Sequence, residues 1–234
     1  MNFKLAGIII AVLVAIIGIG VLSGGSGNND GPNVADAEQV NSEGLATSKV
    51  VFTEAGDFEC PACASFHTLI KQVASVYQDR VKFEFIHFPL KTIHPNSLAA
   101  HRAAQSAALQ GKFWEMHDLL FEQRDLWIST TTSNPVLVFE SFASQLGLDM
   151  DKFRLDFSST EVNDYIQANI DLGTEMGVEA TPSFFLNGQK LDNTQIDSVE
   201  KISKLLDQEL AQTSDSTPST ADAKQSQTDS SQTN

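Results

Sequence analysis

Residues 49–88 constrain the fold most, because strand, helix and strand patterns follow one another there. Residues 49–54 are rich in β-branched and aromatic side chains and predict a buried strand, and residues 81–88 alternate as a second strand. Between them, residues 61–77 predict a helix with one apolar side. This order is typical of two parallel strands joined by a right-handed helical crossover. The sequence therefore predicts an α/β fold.

Strand signals return much later in the chain. Residues 183–186 predict an apolar strand, and Asn187-Gly188 is a turn signal that leads into a short return strand at residues 189–191. Thr194 can then cap a last helix, whose apolar positions would pack on the sheet.

The interval between the two strand regions has helical patterns throughout. Gly, Asn-Pro and Ser-Ser breakers separate five predicted helices, at residues 96–110, 112–121, 135–146, 150–157 and 161–176. The sequence therefore predicts one domain over residues 49–211, with a helical insertion at about residues 93–178.

The N-terminal end indicates export. Residues 6–22 contain only Ala, Gly, Val, Ile and Leu, about the minimum length for a helix that crosses a bilayer. Because Lys4 precedes this run and no basic residue follows before Lys49, the positive-inside rule exports the domain. We expect residues 1–22 to be an uncleaved signal anchor, a single transmembrane helix in the cell membrane. The alternative is a cleaved signal that leaves a secreted or periplasmic protein.

Two polar stretches flank the predicted domain. Residues 23–48 predict a flexible linker, and residues 212–234 predict a disordered polar tail. The linker is too short to hold a dimerisation domain, so we expect a monomer. The formal net charge of -15 argues against a nucleic-acid partner, because phosphate neutralisation needs clustered Lys and Arg.

All the cysteine of the chain lies in one C-x-x-C pair, Cys60 and Cys63. So short a ring restricts the unfolded chain little, which makes a purely structural disulfide the weaker interpretation. Cys60 falls at the N-cap of the predicted helix and Pro61 at its first position, so the Cys60 sulfur can accept from the free amides of Ala62 and Cys63. These amides and the helix dipole lower a thiol pKa and favour the attacking thiolate. The pair is therefore predicted to be redox-active.

Acidic neighbours oppose this effect. Glu54, Asp57 and Glu59 lie close in sequence, so we expect Cys60 to be acidified less than it would be with a histidine in the central dipeptide. A zinc site and an inert pair are the alternatives, but a closed zinc site needs four ligands and only His67 is well placed as a third. We expect no bound metal and no cofactor.

Four motifs occur in the order and at the spacing of a known family: TEAGDFECPAC at residues 53–63, HFPL at 87–90, GKFW with HDLLF at 111–121, and ATPSFFLNG at 180–188. With them the chain resembles the DsbA-like thioredoxin superfamily, and more closely its membrane-anchored or lipid-anchored bacterial branch. The resemblance spans about residues 50–210. It implies a thioredoxin-like fold with an inserted helical subdomain.

The resemblance also implies roles for the residues around the pair. Cys60 would be the nucleophile that forms a mixed disulfide, and Cys63 the buried resolving thiol. Glu54 matches a buried acidic position that can pass protons to the inner cysteine. The alternative for Glu54 is a solvated residue at the end of a strand.

A substrate-binding position is implied as well. The Thr181-Pro182 bond would be cis and lie against the cysteines, where the Thr181 backbone can pair with an extended substrate peptide. Pro61 and Ala62 would be substrate-binding positions beside it.

The activity implied by the resemblance is donation of the Cys60–Cys63 disulfide to exported proteins. Reoxidation would come from a membrane quinone-linked partner of the DsbB or VKOR kind. Pro-Ala between the cysteines and Thr181 before the proline keep a membrane-tethered reductase or isomerase as an alternative. A binding or chaperone module with the same fold is an alternative from another class.

The remaining aromatic and histidine residues are given structural interpretations. His67 is expected to be a partly exposed helix residue. Four other histidines lack an acidic or cysteine partner at ligand spacing and are not expected to bind metal; they are His87, His94, His101 and His117. The aromatic residues predicted to form the core of the helical subdomain are Phe113, Trp114, Phe121 and Trp127.

Overall fold

A computed structural model of the chain describes residues 40–215, with side chains described to residue 213. At its centre is a five-stranded sheet in the order β1-β3-β2-β4-β5. Strands β2 and β3 run parallel, and the other neighbouring pairs run antiparallel. The strands are β1 (Asn41–Gly44), β2 (Val51–Gly56), β3 (Lys82–His87), β4 (Ser183–Leu186) and β5 (Gln189–Lys190).

Helix α1 (Pro61–Tyr77) connects the parallel strands β2 and β3, as the sequence predicts. Five helices lie between β3 and β4, and α7 (Val199–Asp215) follows β5. The five are α2 (Ser97–Ala108), α3 (Phe113–Glu122), α4 (Val136–Gln145), α5 (Met150–Phe157) and α6 (Thr160–Glu175). Short 3-10 helices span Arg124–Leu126 and Asn193–Gln195. The predicted α/β fold with a helical insertion is confirmed.

Two large hydrophobic clusters, with a smaller third one that includes Ile86 and Phe185, lie in the described part of the chain. One lies between the sheet and helices α1 and α7, where Phe52, Val73 and Ile202 are almost fully buried. The other joins the helical insertion to the start of α1 and contains Phe58, Cys60 and Cys63 together with side chains of α2, α3, α4 and α5. Each large apolar side chain buried in this way stabilises the fold by about 1.5–3 kcal/mol. The insertion therefore packs directly behind the cysteine pair.

Strand β1 corrects the linker prediction. Residues 41–44 were predicted to be flexible, but they pair antiparallel with β3 along the edge of the sheet. The strand needs no apolar pattern because its backbone supplies the pairing and Asn41 donates a partly buried hydrogen bond to Gln105 at 2.9 Å.

The boundaries at the C-terminal end also differ from the prediction. Thr194 lies in a 3-10 helix capped by Asp192, and α7 begins later, at Val199. Helix α7 continues to Asp215, so the first residues of the predicted tail are helical.

Several expectations fall on parts of the chain outside the described residues. They are the signal anchor at residues 1–22, the linker at residues 23–39 and the tail at residues 216–234. Over residues 40–215, no helix combines the length and apolarity that crossing a membrane requires.

Candidate active site

The structure places Cys60 and Cys63 at the start of α1. Cys60 is the N-cap, with extended backbone angles (φ -69, ψ 124), and Pro61 occupies the first helical turn. Both cysteines are free thiols and buried; Cys60 is 6% exposed and Cys63 is 0% exposed. The Cys60 thiol lies 3.4 Å from the carbonyl oxygen of Thr181 and can donate to it. The Asp57 amide donates to the Cys63 sulfur at 3.4 Å.

The two thiols have opposite electrostatic environments. A hydrogen bond from the Cys63 thiol, with further ones from the Thr181 side chain and the amides of Cys63 and Ala62, lowers the pKa of Cys60 to about 5 against the opposing effect of burial. Burial, followed by the hydrogen bond with Cys60 and the nearby charges of Glu54 and Cys60, raises the pKa of Cys63 well above 9. At neutral pH, therefore, Cys60 carries the negative charge and Cys63 keeps its proton.

The acidic neighbour Asp57 is turned into the protein, where four groups donate to its carboxylate. Two are the backbone amides of Glu59 and Leu90, each at 2.9 Å. The others are the Ser97 hydroxyl at 2.6 Å and His94 Nδ1 at 2.8 Å. The Asp57 carboxylate thereby ties the loop before α1 to the insertion.

Glu59 makes a second such anchor. Its carboxylate accepts from the backbone amides of Asn96, at 2.7 Å, and Ser129, at 2.5 Å. The Arg124 side chain donates to the Glu59 carbonyl oxygen. From the sequence we expect Asp57 and Glu59 to act on Cys60 only through their charge, whereas in the structure hydrogen bonds dominate the pKa of that thiol.

Glu54 lies on β2 and is 5% exposed, so it is not a solvated residue at a strand end. Its Oε1 atom is buried, and no group in residues 40–215 forms a hydrogen bond with it. Burial, followed by repulsion from Cys60, raises the pKa of Glu54 to about 8. At neutral pH the side chain therefore carries a proton, and its charge acts on the pKa of Cys63 when that proton leaves.

Thr181 and Pro182 stand against the pair. Their peptide bond is cis, and the Thr181 carbonyl oxygen faces Cys60. Pro61 and Ala62 are exposed on the first turn of α1, next to the Cys60 sulfur. The structure thus brings together the predicted nucleophile, the resolving thiol, the buried acid and the substrate-binding positions. The roles assigned to them stay predictions.

The structure differs from what the sequence predicts for the histidines. His67 is 6% exposed rather than partly exposed, because α3 packs over α1, and its Nε2 lies 2.9 Å from Asp118 Oδ1. His117 also contacts Asp118, at 3.2 Å, and His94 contacts Asp57. Acidic partners therefore exist, but from other elements or from the adjacent residue. His87 and His101 are fully buried and lie 2.6 Å apart at their Nδ1 atoms.

Sequence position gave little signal for these contacts. His67 and Asp118 are 51 residues apart and meet only because the insertion folds back onto α1. In residues 40–215, His67, His117 and Asp118 place possible ligand atoms within 4.8 Å of one another, and neither cysteine belongs to this group.

Comparisons with known proteins address the whole domain. A family model described as thioredoxin matches residues 39–208. Among curated proteins, a Na(+)/H(+) antiporter NhaA 3 of Salinispora tropica is 32% identical over 155 residues, which cover 66% of this chain and 22% of that protein. A Na(+)/H(+) antiporter NhaA 1 of Mycolicibacterium vanbaalenii is 35% identical over 148 residues, 62% of this chain and 23% of that protein. The matched region is thus under a quarter of the length of these curated relatives.

Solved structures with the same fold include BdbD from Bacillus subtilis, with 19% identity and a TM-score of 0.62 over 74% of this chain and 94% of that one. Alpha-DsbA1 of Wolbachia pipientis has 19% identity and a TM-score of 0.62 over 74% of this chain and 92% of that one. A thioredoxin-like oxidoreductase from Silicibacter pomeroyi has 21% identity and a TM-score of 0.56, covering 71% and 92%. At identities of 19–21%, the similarity to these structures shows that the fold is shared.

Proposed function

The chain belongs to the thioredoxin family and has the fold of the DsbA-like proteins, and from this premise we propose that it is a thiol-disulfide oxidoreductase working through Cys60 and Cys63. The observation that carries the proposal is the inequality of the two thiols. The pKa of Cys60 is lowered to about 5, and the pKa of Cys63 is raised well above 9. Disulfide exchange needs this division between an attacking or leaving thiolate and a protonated partner.

The proposed reaction starts from the oxidised pair. A substrate thiolate attacks the Cys60 sulfur, a mixed disulfide forms, and the Cys60–Cys63 bond breaks, so that Cys63 leaves as a thiolate and takes up a proton. A second substrate thiolate then attacks the substrate sulfur of the mixed disulfide. The substrate leaves with a new disulfide, and Cys60 leaves as a thiolate. Two electrons pass from the substrate to the pair.

The direction we propose is oxidation of the substrate. A Cys60 thiolate stabilised by several hydrogen bonds is a good leaving group and stabilises the reduced form of the protein. A stabilised reduced form makes the disulfide more oxidising. The low pKa of Cys60 supports this direction over the reductase or isomerase alternative.

We propose that Glu54 exchanges a proton with Cys63 during the reaction. When Cys63 leaves the disulfide it requires a proton, and a buried carboxyl with a pKa of about 8 can supply one near neutral pH. When Cys63 attacks a mixed disulfide instead, the same carboxylate can take the proton back.

The proposed setting is outside the cytoplasm, with residues 1–22 as the membrane anchor. Support comes from the apolar run at residues 6–22 and from the position of Lys4 before it. Exported proteins with cysteines are the proposed substrates, and a membrane quinone-linked protein is the proposed reoxidant. The enzyme is proposed to act as a monomer without a bound cofactor. Antiporter activity is not proposed, because the chain matches only a small part of the relatives that carry that name.

Trapping tests the exchange reaction directly. In a Cys63→Ala variant the Cys60 thiolate can still attack a disulfide of an exported protein, whose other sulfur leaves as a thiolate, but no Cys63 is present to displace the bound protein. We therefore expect covalent complexes with exported proteins on non-reducing gels that disappear on reduction. Cys60→Ser is the matched control and should trap none. If the Cys60→Ser variant keeps the full activity of the protein towards exported proteins, the domain would instead be a binding or chaperone module.

Direction is tested by the reduction potential of the pair, measured against glutathione. We expect a value well above thioredoxin's, towards the roughly -120 mV of a strong oxidant. A value near about -270 mV would support the reductase alternative.

Location is tested with a membrane-impermeant maleimide on intact cells. The Cys63→Ala protein, whose remaining thiol is Cys60, should be labelled without lysis. Labelling that requires lysis would contradict export.

A further inference from the structure

A cavity of about 200 Å³ lies between the sheet and helices α1 and α3. Its lining includes Glu54 of the candidate active site and three side chains that the proposed reaction does not use. These are His67 on α1, and His117 and Asp118 on α3. A cavity that gathers two imidazoles and a carboxylate has the donor set of a metal site.

The three side chains converge on one point. His67 Nε2 lies 2.9 Å and His117 Nδ1 lies 3.2 Å from the same atom, Asp118 Oδ1. The three ligand atoms all lie within 4.8 Å of one another. Zinc bonds of about 2.1 Å at tetrahedral angles separate ligand atoms by about 3.4 Å. Two of the three separations are thus already close to those of one coordination sphere, and the third is at most 4.8 Å.

Lys71 supports this geometry rather than blocking it. Its Nζ lies 2.5 Å from the other oxygen of the Asp118 carboxylate, Oδ2, and 2.6 Å from Glu122 Oε1. Oδ1 is therefore the oxygen that faces both imidazoles. A hydrogen bond to the second oxygen of a ligating carboxylate is the usual way in which a protein orients such a ligand.

The charge of the cavity favours a cation. The carboxyl groups of Glu43, Glu84 and Asp118 line it, together with Glu54, which is protonated at neutral pH, and Lys71 is the only Lys or Arg in the lining. The Asp118 side chain is 30% exposed, which gives an ion a way in.

We propose that His67, His117 and Asp118 bind a Zn²⁺ ion, with a water in the cavity as its fourth ligand. Two nitrogens and one carboxylate oxygen with an open fourth position are ligands that zinc accepts. The ion would tie α1, which carries both cysteines, to α3 of the insertion. This site departs from the sequence expectation that the chain binds no metal.

The test is zinc binding by the full chain carrying Cys60→Ser and Cys63→Ser, because free thiolates bind zinc themselves. After treatment with a chelator, the protein is titrated with Zn²⁺ in competition with a chromophoric chelator. We expect one zinc ion per chain and at least a tenfold loss of affinity on Asp118→Asn. The matched control is Glu122→Gln, which also contacts Lys71 but supplies no ligand and should keep the affinity.

X-ray absorption supplies a second readout. We expect only nitrogen and oxygen neighbours at about 2.0–2.1 Å from the zinc. If Asp118→Asn does not fold, His67→Gln takes its place, with the same expected loss. Absence of stoichiometric zinc, or equal affinity in the ligand variant and the Glu122→Gln control, would overturn the proposal. Neither result bears on the proposed thiol-disulfide exchange, because the tested protein lacks both cysteines.

Discussion

At the residue scale, Cys60 holds a negative charge although it is almost fully buried. Burial alone would raise its pKa, but several hydrogen bonds at the helix start outweigh that effect. Cys63, one turn further into α1, has burial and negative neighbours acting in the same direction. The same helix terminus thus produces two unlike thiols. Neither the helix dipole alone nor the C-x-x-C spacing alone would predict so large a difference.

Glu54 gives a prediction about stability and pH. Its folded pKa of about 8 exceeds the ordinary value of 4.5, so its contribution to stability is complete below pH 4.5 and is lost as pH rises through 8. A shift of this size corresponds to about 3 kcal/mol at pH 7. Glu54→Gln, which cannot ionise, should therefore gain about that amount relative to wild type between pH 4 and pH 7 in urea unfolding.

Glu200→Gln is the matched control for this experiment, because Glu200 is exposed at the start of α7. It should leave the pH profile of wild type unchanged. A Glu54→Gln profile parallel to that of wild type would show that the carboxyl is not buried in its protonated form.

At the element scale, the sequence predicted the units whose patterns are local. The strand, helix and strand around the cysteines have clear apolar periodicity, and Pro61 marks the helix start, so β2, α1 and β3 were found within a few residues. Strand β1 was missed because its four residues are polar and its pairing depends on β3, about forty residues later. The same reason hid the histidine contacts. A sequence pattern carries little information about a partner on another element.

Asn41 is the residue through which β1 is fixed to the insertion. It donates to Gln105 at 2.9 Å and its amide lies 3.2 Å from His87 Nε2. Asn41→Ala removes a hydrogen bond from each of these partners, which keep their own contact between His87 Nε2 and Gln105 Oε1 at 3.2 Å, so we expect a cost of about 1 kcal/mol. Ser42→Ala, the exposed neighbour on the same strand, should cost under about 0.5 kcal/mol. Equal unfolding free energies for the two variants would contradict an anchoring role for Asn41.

At the scale of the whole molecule, the insertion and the sheet are joined through buried polar groups as well as through apolar packing. His87 on β3 and His101 on α2 meet at the centre of this contact, and both are fully buried. Desolvation lowers the pKa of His87 to about 3 and that of His101 well below its ordinary value. Both are therefore neutral in the folded domain, and acid weakens the contact between insertion and sheet.

The pH dependence follows from the direction of these shifts. The folded pKa of His87 lies below its ordinary value of 6.5, so stability is complete above pH 6.5 and is lost as pH falls towards 3. His87 alone accounts for about 3 kcal/mol between pH 7 and pH 4. Because Glu54 changes stability in the opposite direction over this range, the test compares the variant with wild type: in urea unfolding, His87→Gln should lose about 3 kcal/mol less than wild type between pH 7 and pH 4. An equal loss in the variant would place the acid sensitivity elsewhere.

The most direct test of the different protonation states of Cys60 and Cys63 is the thiolate absorbance of the reduced protein, followed at 240 nm from pH 3 to pH 9. One thiolate should titrate with a midpoint near pH 5, and it should disappear in the Cys60→Ser variant. The second thiol should stay protonated up to pH 9. Two thiols that titrate together near pH 8.5, the ordinary value for cysteine, would contradict the assignment of Cys60 as the thiolate and Cys63 as its protonated partner.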